Sequence, residues 1–355
     1  MSSHSSMGAK TTPATCSGGP KRPRRRQGSH IGCRMTLILS EITSRWALQV
    51  SDRLLTISRK SGVQAFDRLS NKTIILHARD GVAALSYTGR AYLHGVPTDT
   101  WIAQQLNGNE FPFDPKTDKF FSRTAIRRTR WPRLSFALHR LAESFNEVAK
   151  THGIGLNQLP VSIAVAGWLW YRRKRPRPFI ALINPDNDGR YRVSWSLRRY
   201  GYYFLWMPLP AGYLTVEDHQ HLDSRLGSLD LPQASEVLSG TIQKIAARTE
   251  TVGADCMAVS ISHPWSNERT IASRFMRNVD AVPRQPVTTP SFVAYSPWVI
   301  GPTQCIAPAQ LIGCSLSMQV GIYTISFEGF TPSADPNMLP FITFGPQDRK
   351  EFSGQ

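Results

Sequence analysis

Thr36 follows a methionine, Met35, and a small residue in second place favours removal of a start methionine. A threonine left at a free N-terminus holds nucleophile and base in one residue. Its α-amine, with an ordinary pKa of about 7.7–8.0, can take the proton of its own hydroxyl. Asp52 stands sixteen positions on, in Val50-Ser51-Asp52-Arg53. Lys72 follows in Ser70-Asn71-Lys72-Thr73, and a small-residue turn, Ser86-Tyr87-Thr88-Gly89-Arg90-Ala91, comes after it.

These residues must be placed by strands. Residues 37–39 are short and apolar, and 46–50 alternate Trp46, Leu48 and Val50 with Ala47 and Gln49, as a half-buried strand does. Residues 73–77 and 81–87 form a further apolar pair around Ala78-Arg79-Asp80. A helix is predicted over 97–106, capped by Thr98 or Asp99. A second helix carries Leu134, Leu138, Leu141, Phe145 and Val148 on one face, with Gly153 past its end. Strands are expected at 161–171, 178–184, 191–195 and 202–207, a helix at 235–248 and a strand at 256–261. Alternating βαβ units are absent, so antiparallel sheets with helices layered outside fit better than a parallel doubly wound sheet. Beyond about residue 263 the chain is Pro-rich and aromatic, with strand-like pieces at 292–300 and 321–328.

The composition bounds the function classes. The chain has 355 residues, 41% hydrophobic and 19% charged, which suits a buried core and excludes a wholly disordered or disulfide-scaffold protein. Its 42 basic against 25 acidic residues give a net charge of +17. Seven of the cations (Lys10, Lys21, Arg22, Arg24, Arg25, Arg26 and Arg34) lie in residues 1–34, which hold no acid and show no periodicity. That stretch reads as a solvated basic tail, as a nucleic-acid-binding or targeting segment, or as a mis-assigned start upstream of Met35. Five scattered cysteines (Cys16, Cys33, Cys256, Cys305 and Cys314) without a CxxC spacing indicate a reducing, cytoplasmic setting, with no zinc site. No apolar run approaches the roughly 18 residues of a membrane helix, and no apolar h-region marks a secretory signal.

In the residues 36–39, 47–53, 71–72 and 87–91, the sequence resembles proteasome β-subunits and HslV-type threonine peptidases of the N-terminal-nucleophile hydrolases. The resemblance spans Thr36 to roughly Gly95. It implies an α+β fold, a four-layer αββα sandwich with two antiparallel sheets, and Thr36 as catalytic nucleophile with Asp52 and Lys72 beside it. The Thr36-to-Asp52 spacing matches the family's. The gap to Lys72 is a few residues longer, which a hairpin insertion can absorb. Lys72 as an ammonium would stabilise the Thr36 alkoxide and keep the amine a usable base, and Asp52 would hold Lys72 charged and oriented. A backbone N–H at Thr88 or Gly89 would face the oxyanion. Arg53 is expected to support the site. The family's second acid falls by position on Thr249, leaving Glu250 or Thr251 as substitutes, with Gly253 fitting the turn. Met35 stands where processed members have Gly, and Arg90-Ala91-Tyr92 where the peptidases are small and acidic.

The other constellations are weaker. His94, His139, His152, His219 and His221 lack metal-ligand spacing, so no metal or other cofactor is expected, and His219 and His221 read as surface loop. Basic residues at 123–133 and 172–177 interleave with Phe121, Trp131 and Tyr171 in a pattern able to grip single-stranded nucleic acid. Arginines on hairpin turns are ordinarily solvated, so nucleic acid is set aside as a partner, as is a membrane. The domain organisation expected is a tail over 1–35, an N-terminal-nucleophile domain over 36–263 and a β-rich extension over 264–355 packed on it. The function expected is hydrolysis of a peptide or small amide, with homo-oligomers implied by resemblance. The alternative is a catalytically inactive protein of the same fold, for binding or assembly, whose basic surface contacts nucleic acid. Residues 1–34 have little apolar surface to offset about 1–2 kcal/mol of backbone ordering per residue. A chain beginning at Met35 should therefore fold with an unchanged melting temperature by circular dichroism; failure to fold would contradict this.

Overall fold

The computed structural model describes residues 36–59, 62–67, 70–107, 131–151, 161–170, 175–196, 204–276, 294–302, 305–312, 315–328 and 341–344. The tail before Thr36, His152, Gly153, Cys16, Cys33, Cys314 and most of the two basic stretches lie outside the described residues. The described chain opens with β1 (Ile38–Ile42), β2 (Trp46–Asp52), β3 (Leu55–Arg59), β4 (Gly62–Asp67), β5 (Thr73–Ala78), β6 (Gly81–Gly89), β7 (Tyr92–Leu93) and β8 (Val96–Pro97). Helices α1 (Thr98–Asn107) and α2 (Leu134–Thr151) follow, then β9 (Val161–Leu169), β10 (Arg177–Pro185), β11 (Tyr191–Ser196) and β12 (Leu205–Leu209). After α3 (Val216–Arg225) and α4 (Leu231–Ala246) come β13 (Cys256–Ser262), β14 (Thr270–Met276), β15 (Ala294–Tyr295), β16 (Trp298–Ile300) and β17 (Cys305–Ile306). The last strands are β18 (Ala309–Ile312), β19 (Ser315–Val320), β20 (Tyr323–Glu328) and β21 (Phe341–Phe344).

The result is mixed α+β with two large sheets. One runs in the order β12-β1-β2-β13-β14-β20-β19, the other β11-β10-β9-β6-β5-β16-β17. Three apolar clusters form the core. One draws on both sheets, bringing Ala47, Val259 and Ile325 against Val82, Ala166 and Trp168. A second packs Leu85, Val165 and Phe179 of the β6 sheet under Trp101 of α1 and Leu138, Leu141 and Phe145 of α2. The third packs Leu39, Leu48 and Val50 under Leu222 of α3 and Leu238 and Ile242 of α4. The apolar stripe expected for α2 is thus its buried face. At Gly167 a Cβ would stand 2.7 Å from Ala83 Cα, so the close β6–β9 approach requires glycine there.

Several expectations change. β2 is buried along its whole length rather than half-buried, because one face meets helices and the other meets the second sheet. The sheets are not purely antiparallel: β14–β20 and β5–β16 are parallel pairs. Each pair takes at least one strand beyond residue 263, so that stretch extends both sheets. His219 and His221 lie on α3, which was not foreseen. Its N-terminus is a capping box of Thr215 and Asp218, but only Asp218 and Leu222 are buried, so no apolar period marks it. The hairpin β3–β4 occupies the insertion between Asp52 and Lys72. Among the described residues no helix is long and apolar enough to cross a membrane.

His77, on β5, sits in this core with its ring 6.0 Å from that of Trp170 and 6.1 Å from that of Tyr323. Burial pushes its pKa from 6.5 down to about 4. The folded protein prefers the neutral ring, so this stabilisation is full above about pH 6.5 and is lost as pH falls towards about 4. Urea unfolding across that window should show stability dropping by up to about 1.4 kcal/mol per pH unit from this group. His77→Leu should flatten the slope; an unchanged slope would mean that the ring is solvated when folded.

Candidate active site at the start of the first strand

Pairing of β1 with β2 sets Ile38 opposite Ser51, and Asp52 N–H donates to Leu37 C=O at 3.1 Å. Asp52, ending β2, thereby lies beside the two residues that precede β1. Lys72 immediately precedes β5 on the other sheet, and its carbonyl accepts from Tyr87 N–H of β6 at 3.1 Å. The two sheets converge on one spot, and the three sequence-expected residues meet there. Lys72 Nζ donates to Thr36 Oγ1 at 2.7 Å, to Leu54 C=O at 2.5 Å and to Asp52 Oδ2 at 3.3 Å. An ammonium has three protons, and all three are used. The side chains of Lys72 and Asp52 are both fully buried.

Among the described residues, the hydrogen-bond partners of the Asp52 carboxyl are all donors. Oδ1 accepts from Leu37 N–H at 3.0 Å, and Oδ2 from the N–H groups of Leu54 and Gly253, each at 3.0 Å, besides Lys72. Burial pushes the carboxyl above its ordinary value, while the Lys72 ammonium and the Gly253 and Leu54 amides pull it back. A protonated carboxyl would have to set its proton against one of these donors, so the arrangement is built for the carboxylate. The ammonium on Oγ1 favours negative charge on that oxygen. Because this partner is a donor, any base for the hydroxyl proton would have to be another group.

The expected supporting residues divide. Gly253 joins the site through its amide, and a Cβ there would lie 2.7 Å from Leu54 Cβ, so the close approach requires glycine. Thr88 uses its hydroxyl to hold Thr36 C=O at 3.0 Å, and Gly89, ending β6, takes a φ of 105° that favours glycine. Arg53 is buried with its guanidinium 5.0 Å from the Phe275 ring centre. Glu250 is exposed on the turn after α4. The Thr251 hydroxyl is engaged with Tyr213 Oη at 2.7 Å and Thr249 Oγ1 at 3.0 Å. Among the described residues no cluster of three or more His, Cys, Asp or Glu is placed to hold a metal ion.

Sequence reasoning missed a buried polar seam beneath the site. Ser51 Oγ lies 3.3 Å from Thr73 Oγ1, which lies 2.7 Å from Ser86 Oγ. Ser86 donates to Gln49 Oε1 at 2.7 Å, and Gln49 Nε2 donates to Ser40 Oγ and to Ala164 C=O, both at 3.1 Å. Ser51 and Thr73 adjoin Asp52 and Lys72, so the seam fixes the two site-bearing strands relative to each other. Its signal was present as Gln49 and Ser51 on the same face of β2.

No family model and no curated protein matches the chain. Similar solved structures are the Anbu protein of Pseudomonas aeruginosa, described as a helical assembly, at 15% identity over 70% of this chain and 88% of that one, with a TM-score of 0.46. Others are a Gly-1 mutant of Anbu from Hyphomicrobium sp. strain MC1, at 12% identity over 70% and 89% with a TM-score of 0.44, and Anbu, an ancestral β-subunit, from Yersinia bercovieri, at 12% over 70% and 89% with 0.43. These findings correct the sequence-level assignment to proteasome β-subunits and HslV-type peptidases. The neighbours named above are distant Anbu proteins, and no family is shown. The physical reason is that the resemblance rested on residues that build one small site, whereas the sheets around it take strands as far as Glu328.

The buried ion pair generates a stability test. Removing one partner strands the other charge in the core, at a cost of roughly 3–5 kcal/mol. Lys72→Met should lose that much in urea unfolding at neutral pH. A loss below about 1 kcal/mol would place the pair among solvent-screened surface pairs.

Proposed function

We propose that the chain is a threonine amidohydrolase acting on a peptide or small amide, with Thr36 as N-terminal nucleophile and its own α-amine as base. The observation that carries this reading is the buried Lys72 ammonium 2.7 Å from Thr36 Oγ1, itself anchored by Asp52. The three apolar clusters support reading the fold as the αββα layering of N-terminal-nucleophile hydrolases, over 36–263, with 264–355 as an extension that lengthens both sheets.

In this mechanism the amine takes the Oγ1 proton while Oγ1 bonds to the substrate carbonyl carbon, and the carbonyl electron pair moves to oxygen. The oxyanion faces the backbone N–H at Thr88 or Gly89, a contact of about 3 kcal/mol. Collapse breaks the C–N bond, and the ammonium returns its proton to the leaving nitrogen, leaving an ester on Thr36. Water, deprotonated by the same amine, attacks that ester and releases the acid. Lys72, donating to Oγ1, stabilises charge on that oxygen as it forms and leaves. The exposed position of Glu250 and the engaged hydroxyl of Thr251 favour the second reading, a fold retained for binding without turnover.

An electrophile that closes a ring across a hydroxyl and an adjacent free amine separates the two readings. Covalent labelling should occur on Thr36, vanish in Thr36→Ala and persist in part in Thr36→Ser. Labelling that survives in Thr36→Ala, or lands on Cys256 or Cys305, would eliminate the threonine mechanism, and no labelling at all would select the non-catalytic reading.

A further inference from the structure

The end of the β6 sheet away from Thr36 collects exposed arginines from segments far apart in sequence. Gly81 pairs with Leu169, and Leu169 with Arg177, so the β5–β6 turn and the start of β10 share that end. Trp170 N–H donates to Asp80 C=O at 2.8 Å, and Arg79 N–H donates to Pro132 C=O at 3.1 Å, which brings the start of α2 alongside. Arg79, Arg133, Arg140, Arg175 and Arg177 are all exposed. Arg133, immediately before α2, and Phe136 and Arg140 on it follow at i, i+3 and i+7, so they fall on one side of the helix and span about 10 Å. Phe136 is 61% exposed and stands between Arg133 and Arg140 along this side of the helix. Of the nearby acids, Asp80 is engaged, accepting Leu134 N–H at 2.7 Å, and Glu143 and Glu147 lie further along α2 towards its C-terminus.

We propose that this face, formed by the β5–β6 turn, the first half of α2 and the start of β10, binds single-stranded nucleic acid. Guanidinium forks match phosphate oxygens, and a solvent-facing ring between them offers a base a stacking partner that an acidic polypeptide does not need. The face lies about 20 Å along β5 from Lys72, so its occupation leaves the Thr36 site open. The inference goes beyond the amidohydrolase reading and stands independently of it.

Fluorescence anisotropy of the full chain with a labelled mixed-sequence single-stranded oligonucleotide tests it. Binding should weaken with salt, with a slope of about −0.7 for each phosphate neutralised. Arg79→Glu/Arg133→Glu/Arg140→Glu should weaken binding at least tenfold and make the salt slope shallower by about 2. Phe136→Ala should weaken it about tenfold with the slope unchanged, and Phe136→Trp should restore it. Circular dichroism checks that each variant is folded; if the Glu set unfolds, the corresponding Gln set takes its place with the same expected direction. Undiminished binding in the arginine variant would assign binding to the basic tail and overturn the proposal. So would an unaffected Phe136→Ala, or polyglutamate displacing the oligonucleotide as well as unlabelled oligonucleotide does.

Discussion

The contact between Lys72 and Asp52 sets the terms for everything around it. Two opposite charges with no exposure to water carry a desolvation penalty of several kcal/mol each, which their mutual attraction offsets only if every remaining proton and lone pair is satisfied. The surroundings meet that demand. Three backbone N–H groups, from Leu37, Leu54 and Gly253, converge on one carboxylate, and the Leu54 carbonyl takes a proton of the ammonium. The third ammonium proton has one place left to go, the hydroxyl of Thr36. A buried charge pair used only for folding would be replaceable by apolar side chains. One that directs its spare proton at a hydroxyl is the arrangement that the proposed nucleophile requires.

The same demand explains the interior between the sheets. Its larger part is apolar, with Trp168, Ile325 and Val82 among the side chains filling it. Towards the site the filling changes to Ser40, Gln49, Ser51, Thr73 and Ser86, all buried. Hydrogen bonds are directional where apolar contacts are not, so these groups fix the register between sheets more tightly than packing does. That register decides whether Lys72, on one sheet, reaches Thr36 and Asp52, on the other. The strands beyond residue 263 add a parallel pair to each sheet and cover edges that the earlier strands leave open.

How much of this was legible depended on range. The Thr36, Asp52 and Lys72 grouping was legible only through the resemblance and its sixteen-residue Thr36-to-Asp52 spacing, since each residue alone reads as an ordinary turn or solvated side chain; the structure brings the three side chains within hydrogen-bond reach. The apolar face of α2 was readable from periodicity alone. α3 was not, since its core-facing surface is little more than Leu222. The parallel pairings were invisible because they join residues around 74 to those around 299, and around 271 to those around 325, with no local pattern to announce them. The polar seam escaped because isolated Ser, Thr and Gln in strands read as solvent-facing until the opposite sheet is in place. The family assignment overreached for a related reason: a site of few residues specifies chemistry better than it specifies ancestry.

The central claim is that the Thr36 hydroxyl has a base in its own amine, because its side-chain partner is an ammonium that can only donate. Intact-mass measurement with N-terminal sequencing of the protein from its native cells tests this most directly. The account predicts a mature chain that begins at Thr36 with an unblocked amine. A chain that retains Met35 or any residue before it, or that carries an acetylated Thr36, has no such base and would contradict the account.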